Sequence, residues 1–260
     1  MASPDGSSFE VHGALAVRRI LLIVERDDFF ADDALVARVV AYFSARGVTV
    51  VRYESRYAET ARRISPRWSR GLPGPVRGTI KALMLLAYPA RWAHFSPRYR
   101  ERVGSVSNRA HALRAAIEEL AEDREVFLLA RSLGARIASL VADSAGVARM
   151  AALGYPFQSP TEGPNPARYL HLRSLRTPML IVQGARDVYG GLEIANVYPL
   201  SPSTTMEFVD GDHGLRLDEP TWARVLDRVS DFFFSDSTAD QTSDSEAGVG
   251  YVVRGSIMGG

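Results

Sequence analysis

Three side chains in this sequence have the types and settings of a nucleophile, an acid and a base. Ser132 sits in Ala130-Arg131-Ser132-Leu133-Gly134. Before it runs the short apolar stretch Val126 to Ala130, and after it Ile137, Leu140 and Val141 recur at helical spacing. Small residues two places either side of a serine, at a strand-to-helix junction, are the pattern of a nucleophile elbow. That turn is sharp, so bulky neighbours would collide with it, and it lifts the hydroxyl out at the strand end. The following helix aims its N–H groups and dipole at the same spot, where they stabilise a negative oxygen. Asp187 ends Gly184-Ala185-Arg186-Asp187, and His213 lies in Asp210-Gly211-Asp212-His213-Gly214. A serine hydroxyl at neutral pH needs an imidazole to take its proton. That imidazole needs a carboxylate to orient it and stabilise it once charged. The chemistry expected is acyl transfer through Ser132, His213 and Asp187. It requires no metal and no organic cofactor.

Ordinary readings exist for each residue. A serine between a strand and a helix also serves as an N-cap, and a histidine in a loop is often a surface residue. His12, His94, His111 and His171 lack the setting that His213 has. Asp210, Asp212 and Asp218 compete with Asp187 for the acid role. Asp212 adjoins His213 in the chain, so its side chain is expected to diverge from the imidazole.

The elements that must position these residues follow from apolar patterning. Ile20 to Val24 is a buried strand, and Leu35, Val39, Val40 and Phe43 form a helical stripe ending near Gly47. Val48 to Tyr53 is the next strand. Strand, helix, strand at this spacing is a parallel βαβ unit. Ser107 to Glu122 is an amphipathic helix, and the elbow strand and helix follow it. Strands are expected at Arg149–Gly154, Pro178–Gln183 and Thr204–Val209, with a closing helix from Pro220 to Phe234. A further short strand is expected around Phe9 to His12. The fold class is therefore α/β, a mostly parallel sheet flanked by helices. Parallel strands bring the loops of Ser132, Asp187 and His213 to one sheet edge, although they are far apart in sequence.

The stretch 56–104 breaks the rhythm. From Arg56 to Arg102 it carries eleven basic residues against two acidic ones. Between two core strands it reads as an inserted cap, or else as a solvated arginine-rich excursion. Its apolar helix, Ile80 to Tyr88, with Trp92 and Phe95 beyond, could line an acyl pocket. Its arginines could face an anionic group such as a carrier-bound substrate, or a membrane surface. Residues 1–234 are assigned to the main domain. The Ser-, Thr- and Asp-rich stretch from 235 begins a flexible tail to 260.

Composition narrows the classes. A chain of 260 residues that is 46% hydrophobic can bury a full core in one α/β domain. A net charge of +1 argues against a nucleic-acid partner for the chain as a whole. With no cysteine, disulfides, a thiolate nucleophile and cysteine zinc sites are excluded. Lys81 is the only lysine, so the basic residues are almost all arginine. Arg18 and Arg19 interrupt the apolar run Ala14 to Val24, and no uninterrupted stretch is long enough to span a bilayer. The location expected is cytoplasmic, with no transmembrane segment. Oligomeric state is not readable.

The quoted motifs, with Leu153-Gly154-Tyr155-Pro156-Phe157, resemble the α/β-hydrolase superfamily, in which the triad order is Ser, Asp, His. From Phe127 to Leu217 the chain is similar to the hydrolase-like family of testis-expressed protein thirty and the third subunit of the NSL complex, related to dienelactone hydrolases. The resemblance implies an α/β-hydrolase fold and a serine hydrolase of ester or thioester bonds, acting on a small-molecule or carrier-bound acyl substrate. The oxyanion donors would be the Leu133 N–H and one from the Arg26 region. Hydrolases of this group usually place His-Gly and small residues after the first strong strand. Here Glu25-Arg26-Asp27-Asp28 stand there. Carboxylates so placed oppose an oxyanion, which keeps a non-catalytic binding or scaffold protein open as the alternative.

Overall fold

The computed structural model describes residues 8–25, 33–55, 71–87 and 105–235. Among them the strands are β1 (Ser8–His12), β2 (Arg19–Val24), β3 (Thr49–Glu54), β4 (Glu125–Arg131), β5 (Arg149–Leu153), β6 (Gln158–Ser159), β7 (Gly163–Pro164), β8 (Met179–Gly184) and β9 (Thr204–Val209). The helices are α1 (Asp33–Ser44), α2 (Gly74–Ala87), α3 (Val106–Ala121), α4 (Leu133–Val141) and α5 (Glu219–Phe234). A seven-stranded sheet runs in the order β1-β3-β2-β4-β5-β8-β9, with β6 and β7 forming a separate hairpin. Every pairing in the large sheet is parallel except that of β1 with β3. This is the α/β-hydrolase fold.

The central strands are apolar on both faces because helices cover both. On β2, Ile20, Leu22 and Val24 join a cluster with α3 and α4, while Leu21 and Ile23 join another with α1 and α5. β4 divides in the same way, Val126, Leu128 and Ala130 against Phe127 and Leu129. A strand alternates its side chains between faces, so each apolar run builds two cores. Leu113, Ala116 and Ile117 of α3 are fully buried, as the helical spacing predicts. α3 begins at Ser105, whose hydroxyl accepts the Asn108 N–H at 3.2 Å. α5 begins at Asp218, which accepts the Thr221 N–H at 2.9 Å.

Of the expected cap, 56–70 and 88–104 fall outside the described residues, as does the tail from 236 onward. The helix expected over Ile80–Tyr88 is found as α2, and it starts six residues earlier, at Gly74. Pro75 explains the earlier start, since its fixed φ suits a first helical turn, where a missing N–H costs nothing. On α2, Val76, Leu83 and Leu86 are exposed.

Candidate active site

The turn after β4 is built around a strained serine. Ser132 has φ 50° and ψ −122°, and it is one of two non-glycine residues with positive φ among the described residues. Its N–H bonds to the Leu153 carbonyl at 3.3 Å, while its own carbonyl accepts from Ala135 and Arg136 and starts α4. Space explains the small neighbours. A Cβ on Gly134 would stand 2.5 Å from the Val24 carbonyl oxygen and 2.8 Å from that of Glu25. Ala130 is likewise buried. Leu133 is the first residue of α4, so its N–H has no partner within the helix.

β8 and β9 deliver the other two side chains. The Ser132 hydroxyl lies 2.7 Å from His213 Nε2, and His213 Nδ1 lies 2.8 Å from Asp187 Oδ2. An ionised carboxylate only accepts, so Nδ1 carries the proton and Nε2 is left to accept from the serine. The Asp187 side chain is fully buried, and that of His213 is 14% exposed. The structure thus brings together Ser132, Asp187 and His213. The competing carboxylates are occupied elsewhere. Asp210 pairs with Arg186, Asp212 lies 3.7 Å from Arg216, and Asp218 caps α5.

Four contributions were not read from the sequence. Gln183, at 0% exposure, donates from Nε2 to Asp187 Oδ2 at 2.8 Å and to the Gly190 carbonyl at 2.7 Å. Its only signal is a polar residue at the end of the apolar run Met179 to Val182. Tyr189 donates its N–H to Asp187 Oδ1 at 2.8 Å, and its ring packs on the His213 imidazole at 4.3 Å between centroids. Gly154, at φ +69°, closes the far side. A Cβ there would lie 3.6 Å from His213 Nδ1 and 3.8 Å from Asp187 Oδ2. Arg131 also ties the elbow to the histidine loop, donating from Nη2 to the Gly214 carbonyl at 3.2 Å.

Of the acidic stretch after β2, Glu25 is described and Arg26 is not. Arg26, the other expected oxyanion donor, lies outside the described residues with Asp27 and Asp28. Arg52 of β3 holds the Glu25 carboxylate, Nη2 to Oε2 at 2.6 Å and Nε at 3.0 Å. One carboxylate of that stretch is thereby paired with a guanidinium.

Behind α4 a second polar group forms. Ser139 donates to the Arg136 carbonyl at 2.9 Å, and its oxygen meets His171 Nε2 at 2.8 Å. Tyr155 donates its hydroxyl to the Arg168 carbonyl at 2.7 Å. Burial, helped by the nearby Arg136 charge, pushes His171 down to about 4. Burial raises Tyr155 well above the usual tyrosine range. Both are therefore neutral at pH 7 and act as structural polar groups.

Fold and site together define an α/β-hydrolase. The chain belongs to the alpha/beta hydrolase domain family, whose sequence profile matches residues 94–232. Comparison with curated protein sequences gives no match. Among solved structures, the chain is similar to an alpha-beta serine hydrolase homologue from Coxiella burnetii, with 16% identity, a TM-score of 0.51, and coverage of 88% of this chain and 94% of that one. A predicted CIB-like hydrolase from Thermoplasma acidophilum is 13% identical, with a TM-score of 0.56 and coverage of 89% and 95%. An esterase from Pyrococcus furiosus is 14% identical, with a TM-score of 0.56 and coverage of 89% of each chain. At these identities the likeness is one of fold. No helix among the described residues is long and apolar enough to cross a membrane.

Proposed function

We propose that the protein is a serine hydrolase of carboxylic ester or thioester bonds. The observation that carries this reading is the continuous line of contacts from Ser132 through His213 to Asp187, at 2.7 and 2.8 Å. Ser132 Oγ attacks the acyl carbon and passes its proton to His213 Nε2. Asp187 stabilises the imidazolium that forms. The Leu133 N–H supports the tetrahedral oxyanion, with a second donor assigned to the Arg26 region. His213 then protonates the leaving oxygen or sulfur, and water enters by the reverse steps to free the acid.

The motifs from Arg131 to His213 favour kinship with the testis-expressed protein thirty and NSL-subunit group. The substrate carries an acyl group, either on a small molecule or on a carrier. The segment 56–104 is assigned as a cap, and the arginine excess in its sequence favours an anionic substrate.

A fluorophosphonate probe tests the reading. Labelling at Ser132 that is lost in Ser132→Ala is the expected result. Folded protein that stays unlabelled would assign the chain instead to binding or scaffolding.

A further inference from the structure

We infer that Gln183 is a positioning residue for the acid–base pair, holding Asp187 and tuning how strongly its carboxylate holds the His213 proton. This inference rests on the hydrolase reading for its kinetic consequences, though not for its geometry.

Gln183 is the last residue but one of β8, and it is fully buried. Its Oε1 accepts the Tyr155 N–H at 2.8 Å. Its Nε2 has two hydrogens facing three oxygens, Asp187 Oδ2 at 2.8 Å, Gly190 O at 2.7 Å and Tyr155 O at 3.2 Å. The partners dictate the amide's orientation. Turned over, its oxygen would face those three acceptors and its NH2 would face a donor. The side chain therefore has a single arrangement, and that arrangement aims an N–H at the oxygen which His213 also uses.

Consequences follow for the proton. Asp187 Oδ2 accepts from both Gln183 and His213, while Oδ1 accepts from the Tyr189 N–H. The positive end of the Gln183 amide draws on the charge that would otherwise stabilise the imidazolium. The other groups around His213 are the Ser132 hydroxyl, the Tyr189 ring, the neighbouring Asp212, and Arg131, bonded to the Gly214 carbonyl. Among the described residues, Gln183 and the Tyr189 N–H bond to the Asp187 carboxylate alongside His213. The same amide fastens the loop after β5, through both backbone groups of Tyr155, to the loop after β8, through Gly190. Gly154, where a Cβ would stand 3.6 Å from His213 Nδ1, is the residue before Tyr155. Gln183 thus holds both walls of the histidine's slot.

The test is Gln183→Met, which keeps the volume and removes the amide. Active sites are counted by probe labelling, so that lost fold is not mistaken for lost rate. With the N–H gone, the carboxylate holds the imidazolium more firmly, so the proton is kept to higher pH. The acid limb of kcat/KM is then expected to move up by about 0.5–1 pH unit. kcat per labelled site should fall about tenfold or more, with KM little changed. An unmoved acid limb with normal turnover per labelled site would overturn the inference, since a merely structural residue alters only the number of sites. Should Gln183→Met fail to fold, the unmutated protein decides by NMR. The Gln183 side-chain amide protons should exchange slowly and shift with pH in step with the His213 ring. Fast exchange, or shifts independent of His213, would refute it. Failure of the hydrolase reading looks different, since wild-type Ser132 would then stay unlabelled while the NMR result stands.

Discussion

The carbonyl oxygen of Val24, at the end of β2, stands 2.5 Å from where a Cβ on Gly134 would be placed. β2 and the start of α4 are therefore in direct backbone contact beneath the serine. Gly134→Ala must push them apart, and overpacking of this kind costs about 1–3 kcal/mol. The variant should show a lower denaturant midpoint and slower fluorophosphonate labelling of Ser132. Unchanged values for both would mean that the elbow can give way without cost.

Ser132 holds a backbone conformation that L residues rarely adopt. Strain of this kind is commonly worth about 1–3 kcal/mol. Ser132→Gly should remove it and Ser132→Ala should keep it. Both variants lose labelling, but the glycine variant should unfold at a higher temperature than the alanine variant. Equal midpoints would show that no strain is stored in the turn.

His171 gives a pH signature in stability. It sits near 6.5 when unfolded and about 4 when folded, because burial and Arg136 oppose its charge. Between those values the unfolded chain binds the extra proton, so stability is full above pH 6.5 and falls as the pH drops toward 4. The loss should be on the order of 1–3 kcal/mol, allowing for the part of the ring that solvent reaches. His171→Gln should flatten that part of a plot of urea midpoint against pH. Labelling of Ser132 at pH 8 should be unaffected.

The Arg52 guanidinium holds the Glu25 carboxylate with the two side chains 14% and 11% exposed. Removing the guanidinium takes from Glu25 the opposite charge that stands 2.6 Å away. Arg52→Gln should cost about 1–3 kcal/mol in stability, between the worth of an exposed pair and that of a fully buried one. It should also slow turnover more than it weakens substrate binding, because Glu25, whose backbone meets the elbow at Gly134, then carries less compensated negative charge, which opposes a developing oxyanion. Stopped-flow turnover of a p-nitrophenyl ester, compared with the denaturant midpoint, separates the two effects.

The arginine excess of 56–102 predicts a salt effect. Hydrolysis of an anionic or carrier-bound ester should fall steeply as ionic strength rises, while that of a small neutral ester should not. Parallel behaviour of the two substrates would make the charge irrelevant to catalysis.

The sequence alone determined what depends on neighbours along the chain. The apolar runs marked β2, β4, β5 and β8, because a strand covered on both faces must be apolar throughout. The small residues Ala130 and Gly134 marked the elbow, because the turn's crowding acts on adjacent positions. Loops after parallel strands meet at one edge, so Ser132, Asp187 and His213 could be read as a set. The tertiary structure decided what depends on distance between remote segments. It set Asp187, and not Asp210, Asp212 or Asp218, against His213, its carboxylate buried under Gln183 and Tyr189, while the others pair with Arg186 and Arg216 or cap a helix. It gave Glu25 a partner from another strand. It also turned Gln183, in sequence only a polar residue among apolar ones, into the hub of two loops. Hydrogen bonds form over about 3 Å between atoms whose chain separation is unconstrained, and no local pattern of residue types encodes that distance.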